Sequence, residues 1–302
     1  MLKIERIEIM KARRFISMGT ILISVLLITC VYAVEGDKTG EINTGQDITK
    51  PLSRFDFRWD AQQIDGDSTA YTTTFRFDMP IPLGEEGEDG IFYYRMDLPL
   101  VYSDAPGRDN ANGDYEFGTG DFLTQFVYVP PPHMSENLPW DDFGFGVQLI
   151  WPTASKDIMG YEQYMIKPVF GAKLNLSEKF GKGAFFLPIF GYLTDYANYS
   201  GGKSRDNVGE LSIQPSLYIP IPKDSGLPFD FINFWANNDI RINVEDGQTK
   251  RSGDIFIPFD VMFGKMLNRN TVASIDFATP LYKSDGYDLY DWIIQFRIGF
   301  FF

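Results

Sequence analysis

The last eleven residues, Trp292 to Phe302 (WIIQFRIGFFF), constrain the fold more than any other part of the chain. Trp292, Ile294, Phe296, Ile298, Phe300 and Phe302 are large and apolar, and Ile293, Gln295, Arg297, Gly299 and Phe301 fall between them. That is a period of two. It describes a strand with one fully apolar face and one face that is mostly not.

A C-terminal strand that alternates in this way and ends in Phe resembles the closing strand of bacterial outer-membrane β-barrels. There it also serves as the assembly signal, a role the resemblance assigns to Phe302. The alternative is a half-buried strand in a soluble sandwich. The rest of the chain favours the barrel. Beyond residue 33 no stretch reaches the roughly 18 apolar residues that a transmembrane helix needs. Yet 16% of the residues are aromatic, with 27 Phe and 16 Tyr. Aromatic richness without a spanning helix suits a barrel whose outer wall meets lipid and whose aromatic girdles lie at both interfaces.

The N-terminus reads as a secretory signal peptide over 1–33. Lys11, Arg13 and Arg14 form a basic region, Phe15 to Ala33 carries no charge, and Val31-Tyr32-Ala33 supplies a cleavage site. A retained anchor and a lipidated Cys30 are the rival readings; Ile28-Thr29-Cys30 lacks the small residues that lipidation prefers. Cys30 is the only cysteine, so cleavage leaves a chain without disulfides. Residues 34–52 are polar and patternless at first and read as a flexible N-terminal segment. The barrel is then expected over 53–302.

The net charge is −14, and cleavage would remove more basic than acidic residues. This argues against nucleic-acid binding, which wants the opposite sign. It fits a bacterial outer-membrane protein surrounded by outer-membrane lipids and lipopolysaccharide with its divalent cations, and assembled by the barrel assembly machinery.

Twelve alternating stretches follow, roughly 53–62, 70–82, 91–103, 120–131, 142–152, 163–177, 183–195, 208–221, 229–243, 254–266, 270–282 and 289–302. Each is long enough to cross a bilayer when tilted, which takes about 9–11 residues. The expected fold class is all-β, a transmembrane antiparallel up-and-down barrel of about twelve strands. Short turns such as Glu178–Gly183 alternate with long acidic connections such as Ser103–Gly118 and Tyr196–Asn207. With both termini periplasmic, the odd-numbered connections are external, and Gly84–Gly90 is a periplasmic hairpin. Pro80, Pro82, Pro99, Pro168, Pro188, Pro215 and Pro258 interrupt a regular ladder and predict bulges or kinks.

The period of two also assigns faces. Phe55, Phe57, Trp59, Phe75, Phe77, Phe92, Tyr94, Met96, Leu98 and Leu100 point to lipid. Arg54, Asp56, Arg58 and Asp60, then Arg76 and Asp78, Arg95 and Asp97, and Gln295 and Arg297 point inward. A charge facing mid-bilayer lipid costs roughly 2–4 kcal/mol for Arg or Lys, which forces these side chains into the lumen. Closure makes the four strands neighbours, so their inward residues form an acid–base ladder. Lys167, Lys173, Glu210, Gln214, Asp260 and Asp276 are further inward residues. The ladder is either a salt-bridged plug that stiffens a narrow barrel or a pore lining that sets selectivity; both can hold at different heights.

Signals for chemistry are weak. His133, the only histidine, lies in a predicted periplasmic turn with Ser135 too near in sequence to serve as its nucleophile. No CxxC, HExxH or P-loop pattern occurs. Asp109 to Glu116 (DNANGDYE) is similar to a calcium loop but departs from its spacing, and reads as a solvated acidic loop. No catalytic residue, metal or cofactor is expected.

Two segments carry a finer resemblance. Gly118-Thr119-Gly120-Asp121-Phe122 opens the fourth strand, and Trp151-Pro152-Thr153-Ala154-Ser155-Lys156-Asp157-Ile158-Met159-Gly160 ends the fifth. With Lys50-Pro51-Leu52, they resemble the outer-membrane proteins of the meta-pathway phenol-degradation family, over roughly residues 45 to 302. The resemblance implies a barrel that passes small hydrophobic or aromatic compounds. The expected function is therefore a passive outer-membrane channel or porin for small molecules. A closed-lumen structural or partner-binding barrel and a lipid-modifying barrel enzyme are the alternatives.

Overall fold

The computed structural model describes residues 44–66, 68–195, 207–246 and 251–302. The expected signal peptide over 1–33 with Cys30, residues 34–43 and residues 196–206 of the seventh connection lie outside these. The barrel falls within one compact unit, Glu41–Phe301.

Its strands are β1 (Arg54–Asp65), β2 (Ser68–Pro82), β3 (Ile91–Ser103), β4 (Glu116–Thr119), β5 (Phe122–Val129), β6 (Asp142–Trp151) and β7 (Met165–Asn175), followed by β8 (Phe185–Asp195), β9 (Gly209–Pro220), β10 (Phe231–Phe234), β11 (Ile240–Asn243), β12 (Ile255–Asn268), β13 (Thr271–Lys283) and β14 (Trp292–Phe301). Every pairing between them is antiparallel. β4 and β5 share β3 as a partner, and β10 and β11 both lie between β9 and β12. Fourteen strands therefore fill twelve positions. β14 closes on β1, from Arg54 opposite Phe301 to Gln63 opposite Trp292. The chain is an all-β closed antiparallel barrel of twelve strands, and closure removes the sheet edges that would otherwise invite aggregation.

The outer face is apolar and open. Phe77 is 40% exposed and Phe296 47%. Outward rings meet across neighbouring strands: Phe55 lies 4.9 Å from Phe77, and Trp59 lies 5.8 Å from Phe296 and 6.0 Å from Tyr71. Such cross-strand pairs stabilise a sheet, and an apolar band this wide suits lipid rather than water.

Pro168 and Pro258 fall at irregularities of the ladder, as a missing donor leads one to expect, whereas the β2–β3 register runs unbroken through Pro80, Pro82 and Pro99 and the β8–β9 register through Pro188 and Pro215. Pro168, Pro188 and Pro215 sit on the adjacent strands β7, β8 and β9, with Pro188 opposite Pro215. The β7–β8 ladder skips Lys167–Pro168 and Ala172–Lys173. Pro258 faces Pro280 beside a register shift.

Connections 104–115 and 152–164 lie at the same end of the barrel, opposite to 83–90. The two segments that carried the family resemblance dock there as one unit. Asp121 Oδ1 accepts the Ala154 N–H at 2.9 Å, and Asp121 Oδ2 accepts the Tyr161 N–H at 2.5 Å. Ser155 N donates to Thr119 O at 3.0 Å, and Phe122 N donates to Thr153 Oγ1 at 2.8 Å. A Cβ at Gly118 would strike Ser155, and one at Gly120 would lie 2.9 Å from Pro99 Cγ. The glycines are there because the two segments touch.

Within the segment that sequence reads as disordered or loosely docked, residues 44–49 are docked in the barrel. Thr44, Asp47 and Thr49 are buried, and Lys173 Nζ donates to Asp47 Oδ2 at 2.5 Å. Arg54 Nη1 donates to Gly45 O at 2.7 Å, and Asn233 Nδ2 to Gln46 Oε1 at 3.2 Å. Ile48 packs on an interior cluster of Phe185, Leu187, Tyr218, Phe231, Met262 and Val272. A polar segment looks like a linker in sequence, but inside a charged lumen its polar groups find partners.

Candidate functional site: a cavity in the lumen

The acid–base ladder forms on β14, β1, β2 and β3. Arg76 grips Asp97 with two bonds, Nε to Oδ1 and Nη2 to Oδ2, both 2.6 Å. Arg95 Nε donates to Asp78 Oδ1 at 2.9 Å and its Nη2 to Tyr93 Oη at 2.7 Å. Arg54 pairs with Asp78, and its Nε lies 3.3 Å from Asp56 Oδ1. Asp56 Oδ2 also meets Arg58 Nη2 and Arg297 Nε, each at 3.0 Å. Bidentate, charge-assisted contacts of this kind are the strong ones. Asp60 Oδ1 accepts from Gln295 Nε2 at 2.6 Å.

A second element crosses the lumen. The interruption between β10 and β11, residues 235–239, turns inward at Trp235, a non-glycine residue with φ of +51°. Such a backbone costs about 1–2 kcal/mol and needs support. Asp260 supplies it. Asp260 Oδ2 accepts the N–H groups of Asn237 and Asn238 at 3.1 and 2.6 Å, and Asp260 Oδ1 accepts that of Ala236 at 3.3 Å. Gln214 Nε2 donates to Ala236 O at 2.6 Å. From this loop Asn237 Nδ2 reaches Asp276 Oδ2 at 2.6 Å and Gln295 Oε1 at 3.2 Å, and Arg58 Nη1 donates to Asn237 Oδ1 at 3.2 Å. Asp239 accepts from Lys167 Nζ at 2.8 Å. The loop thereby ties β7 to β13, β14 and β1.

Between these elements lies a cavity of about 420 Å³. Residues Gly45, Gln46 and Ile48 of the docked segment contribute to its lining, as do Ala236, Asn237 and Asp239 of the crossing loop. Of the residues assigned inward from sequence, Arg54, Arg58, Asp60, Arg76, Arg95, Asp97, Lys167, Glu210, Gln214 and Gln295 line it. Asp56, Asp78 and Asp276 are buried but do not reach it, because the guanidinium and amide groups they bind cover them, and Arg297 is buried against the Asp56 carboxylate. Lys173 is spent on Asp47, and Glu210 lies 3.6 Å from Arg241. Sequence reasoning did not single out Asn237, Asp239 or Arg241, which fall where the strand period breaks. Nor did it single out Leu123, Ile150 and Leu193, apolar residues that face the cavity rather than lipid.

His133 is exposed in the turn after β5, and Ser135 Oγ donates to Pro132 O at 2.8 Å and to Asp141 O. No cluster able to hold a metal ion occurs among the described residues.

No family model matches the chain, and no curated protein matches it. Solved structures do. An outer membrane channel from Pseudomonas putida F1 superposes with a TM-score of 0.63 at 13% identity, covering 89% of this chain and 100% of that one. The chain has the fold of an outer-membrane β-barrel. The NanC porin also aligns, with a TM-score of 0.47 and 13% identity over 82% of this chain and 98% of the porin. At these identities the likeness speaks for architecture alone.

Proposed function

We propose that this barrel lies in the bacterial outer membrane and passes small molecules passively through its lumen. The carrying observation is a cavity of about 420 Å³ in the barrel, lined by arginine, lysine, carboxylate and amide groups. A low-dielectric wall focuses the field of such fixed charges on a solute path. Connections 104–115 and 152–164 are external in this reading, the outward aromatic band meets outer-membrane lipid and lipopolysaccharide, and the terminal Phe302 strand is read by the assembly machinery. The family resemblance adds aromatic compounds as solutes.

One observation favours a second reading, a closed-lumen structural barrel: residues 44–48 and 235–239 both occupy the lumen. Single-channel recording in planar bilayers separates the two. Discrete conductance steps are expected from the channel, and their absence under all voltages would leave the closed barrel.

A further inference from the structure

The cavity has two chemically different walls. The wall on β1 and β2 is cationic. Arg58 stands opposite Thr74 and Asp56 opposite Arg76, so Arg58 and Arg76 are diagonal neighbours on one face of adjacent strands. Carboxylates at that wall are already taken: Asp97 of β3 holds Arg76 through Nε and Nη2, Asp56 holds Arg58 through Nε and Nη2, and Asp60 accepts from Gln295, while Arg58 Nη1 donates to Asn237 Oδ1. Arg76 Nη1 binds no acceptor among the described residues, and its side chain is 16% exposed in a cavity it lines. Two close guanidinium groups repel one another in a poorly solvated site, and an anion between them relieves that repulsion.

The wall on β5 and β6 is different. Leu123 and Ile150 stand opposite one another and face the same cavity, with Gln125 and Gln148 beside them; Leu193 lines it farther round on β8, opposite Glu210 and beyond Lys167 of β7. Inward leucines and isoleucine gain nothing from a path built for water and salt alone. They gain from covering an apolar body.

We propose that the cavity binds a small organic monocarboxylate, its carboxylate on the Arg76 guanidinium beside Arg58 and its apolar body against Leu123 and Ile150. The inference rests on the reading of this cavity as the solute path and names the class of solute. Its volume lies within the usual range of small-molecule sites. The guanidinium reads the charge, and the aliphatic wall reads the body, so neither part alone suffices.

Calorimetry on the folded, detergent-purified protein tests this with three probes: benzoate, benzyl alcohol with the same ring and no charge, and acetate with the charge and no ring. Benzoate is expected to bind at least about tenfold more tightly than either of the others. Arg76→Gln is expected to abolish the preference for benzoate over benzyl alcohol, and Leu123→Asn to abolish the preference over acetate. Benzyl alcohol or acetate binding as tightly as benzoate would overturn the proposal, as would no binding of benzoate. The wild-type series needs no variant to fold. Benzoate binding without any ion conductance would support the site and overturn the channel reading instead.

Discussion

Arg297 Nε stands 3.0 Å from Asp56 Oδ2, and both side chains are almost completely buried at the seam where the last strand closes on the first. Asp56 serves Arg54 and Arg58 as well, so one carboxylate holds three guanidinium groups of two strands. Removing it strands buried charge. Asp56→Ala is expected to cost about 3–5 kcal/mol, the usual penalty for breaking a buried pair from one side. The temperature at which unboiled protein shifts on a detergent gel should fall accordingly. An unchanged transition would mean that the seam does not depend on this carboxylate.

Asp260 carries the loop that crosses the lumen, through three backbone N–H groups and the Asn238 side chain. Asp260→Ala should release residues 235–239 while leaving β9, β12 and β13 paired. Single-channel conductance is expected to rise in this variant. If it stays at the wild-type value, the loop does not limit the path.

The docked segment 44–50 offers a second obstruction with a different anchor. Lys173→Met removes the cation that holds Asp47. A cysteine placed at Gln46 should then react faster with a membrane-impermeant thiol reagent than the same cysteine in an otherwise wild-type barrel. Equal rates would show that Ile48 and Arg54 hold the segment without Lys173.

Phe302 is 78% exposed at the end of the chain, so it contributes little to packing. Its replacement tests recognition rather than stability. Phe302→Asp should lower the amount of protein assembled in outer membranes much more than the amount secreted. Normal outer-membrane levels of this variant would remove the assembly role.

The strands were legible in the sequence because the barrel has two unlike faces, apolar on the outside and mostly polar in the lumen. Along β1, Phe55, Phe57 and Trp59 against Arg54, Asp56 and Arg58 show this directly. Where the lumen is not polar the signal fades. Phe185, Leu187 and Phe231 face an apolar interior cluster, so the start of β8 is apolar on both sides and carries no face information, and in β10 only Asn233 marks the inward face. The crossing loop falls inside the stretch 229–243, which by sequence reads either as one long strand or as a strand with a polar extension. Its residues Asn237, Asn238 and Asp239 are ordinary turn residues, and only the distant Asp260, Asp276 and Lys167 make them a structure. The docked N-terminal segment was missed for the same reason. A polar stretch with no period looks unstructured until partners far along the chain are placed beside it. Depth within the ladder was also out of reach. Alternation gives the face of Asp56 or Arg297, but not which neighbour covers it.

The interruption of the wall between β10 and β11 separates two things that most channels keep linked. The crossing loop leaves and rejoins the sheet between the same pair of strands, β9 and β12. Its length and composition can therefore change without altering the strand count, the closing seam or any connection at either rim. A lineage could retune what enters the cavity while presenting the same outer surface to phage and antibodies, and a protein engineer could do the same by replacing five residues.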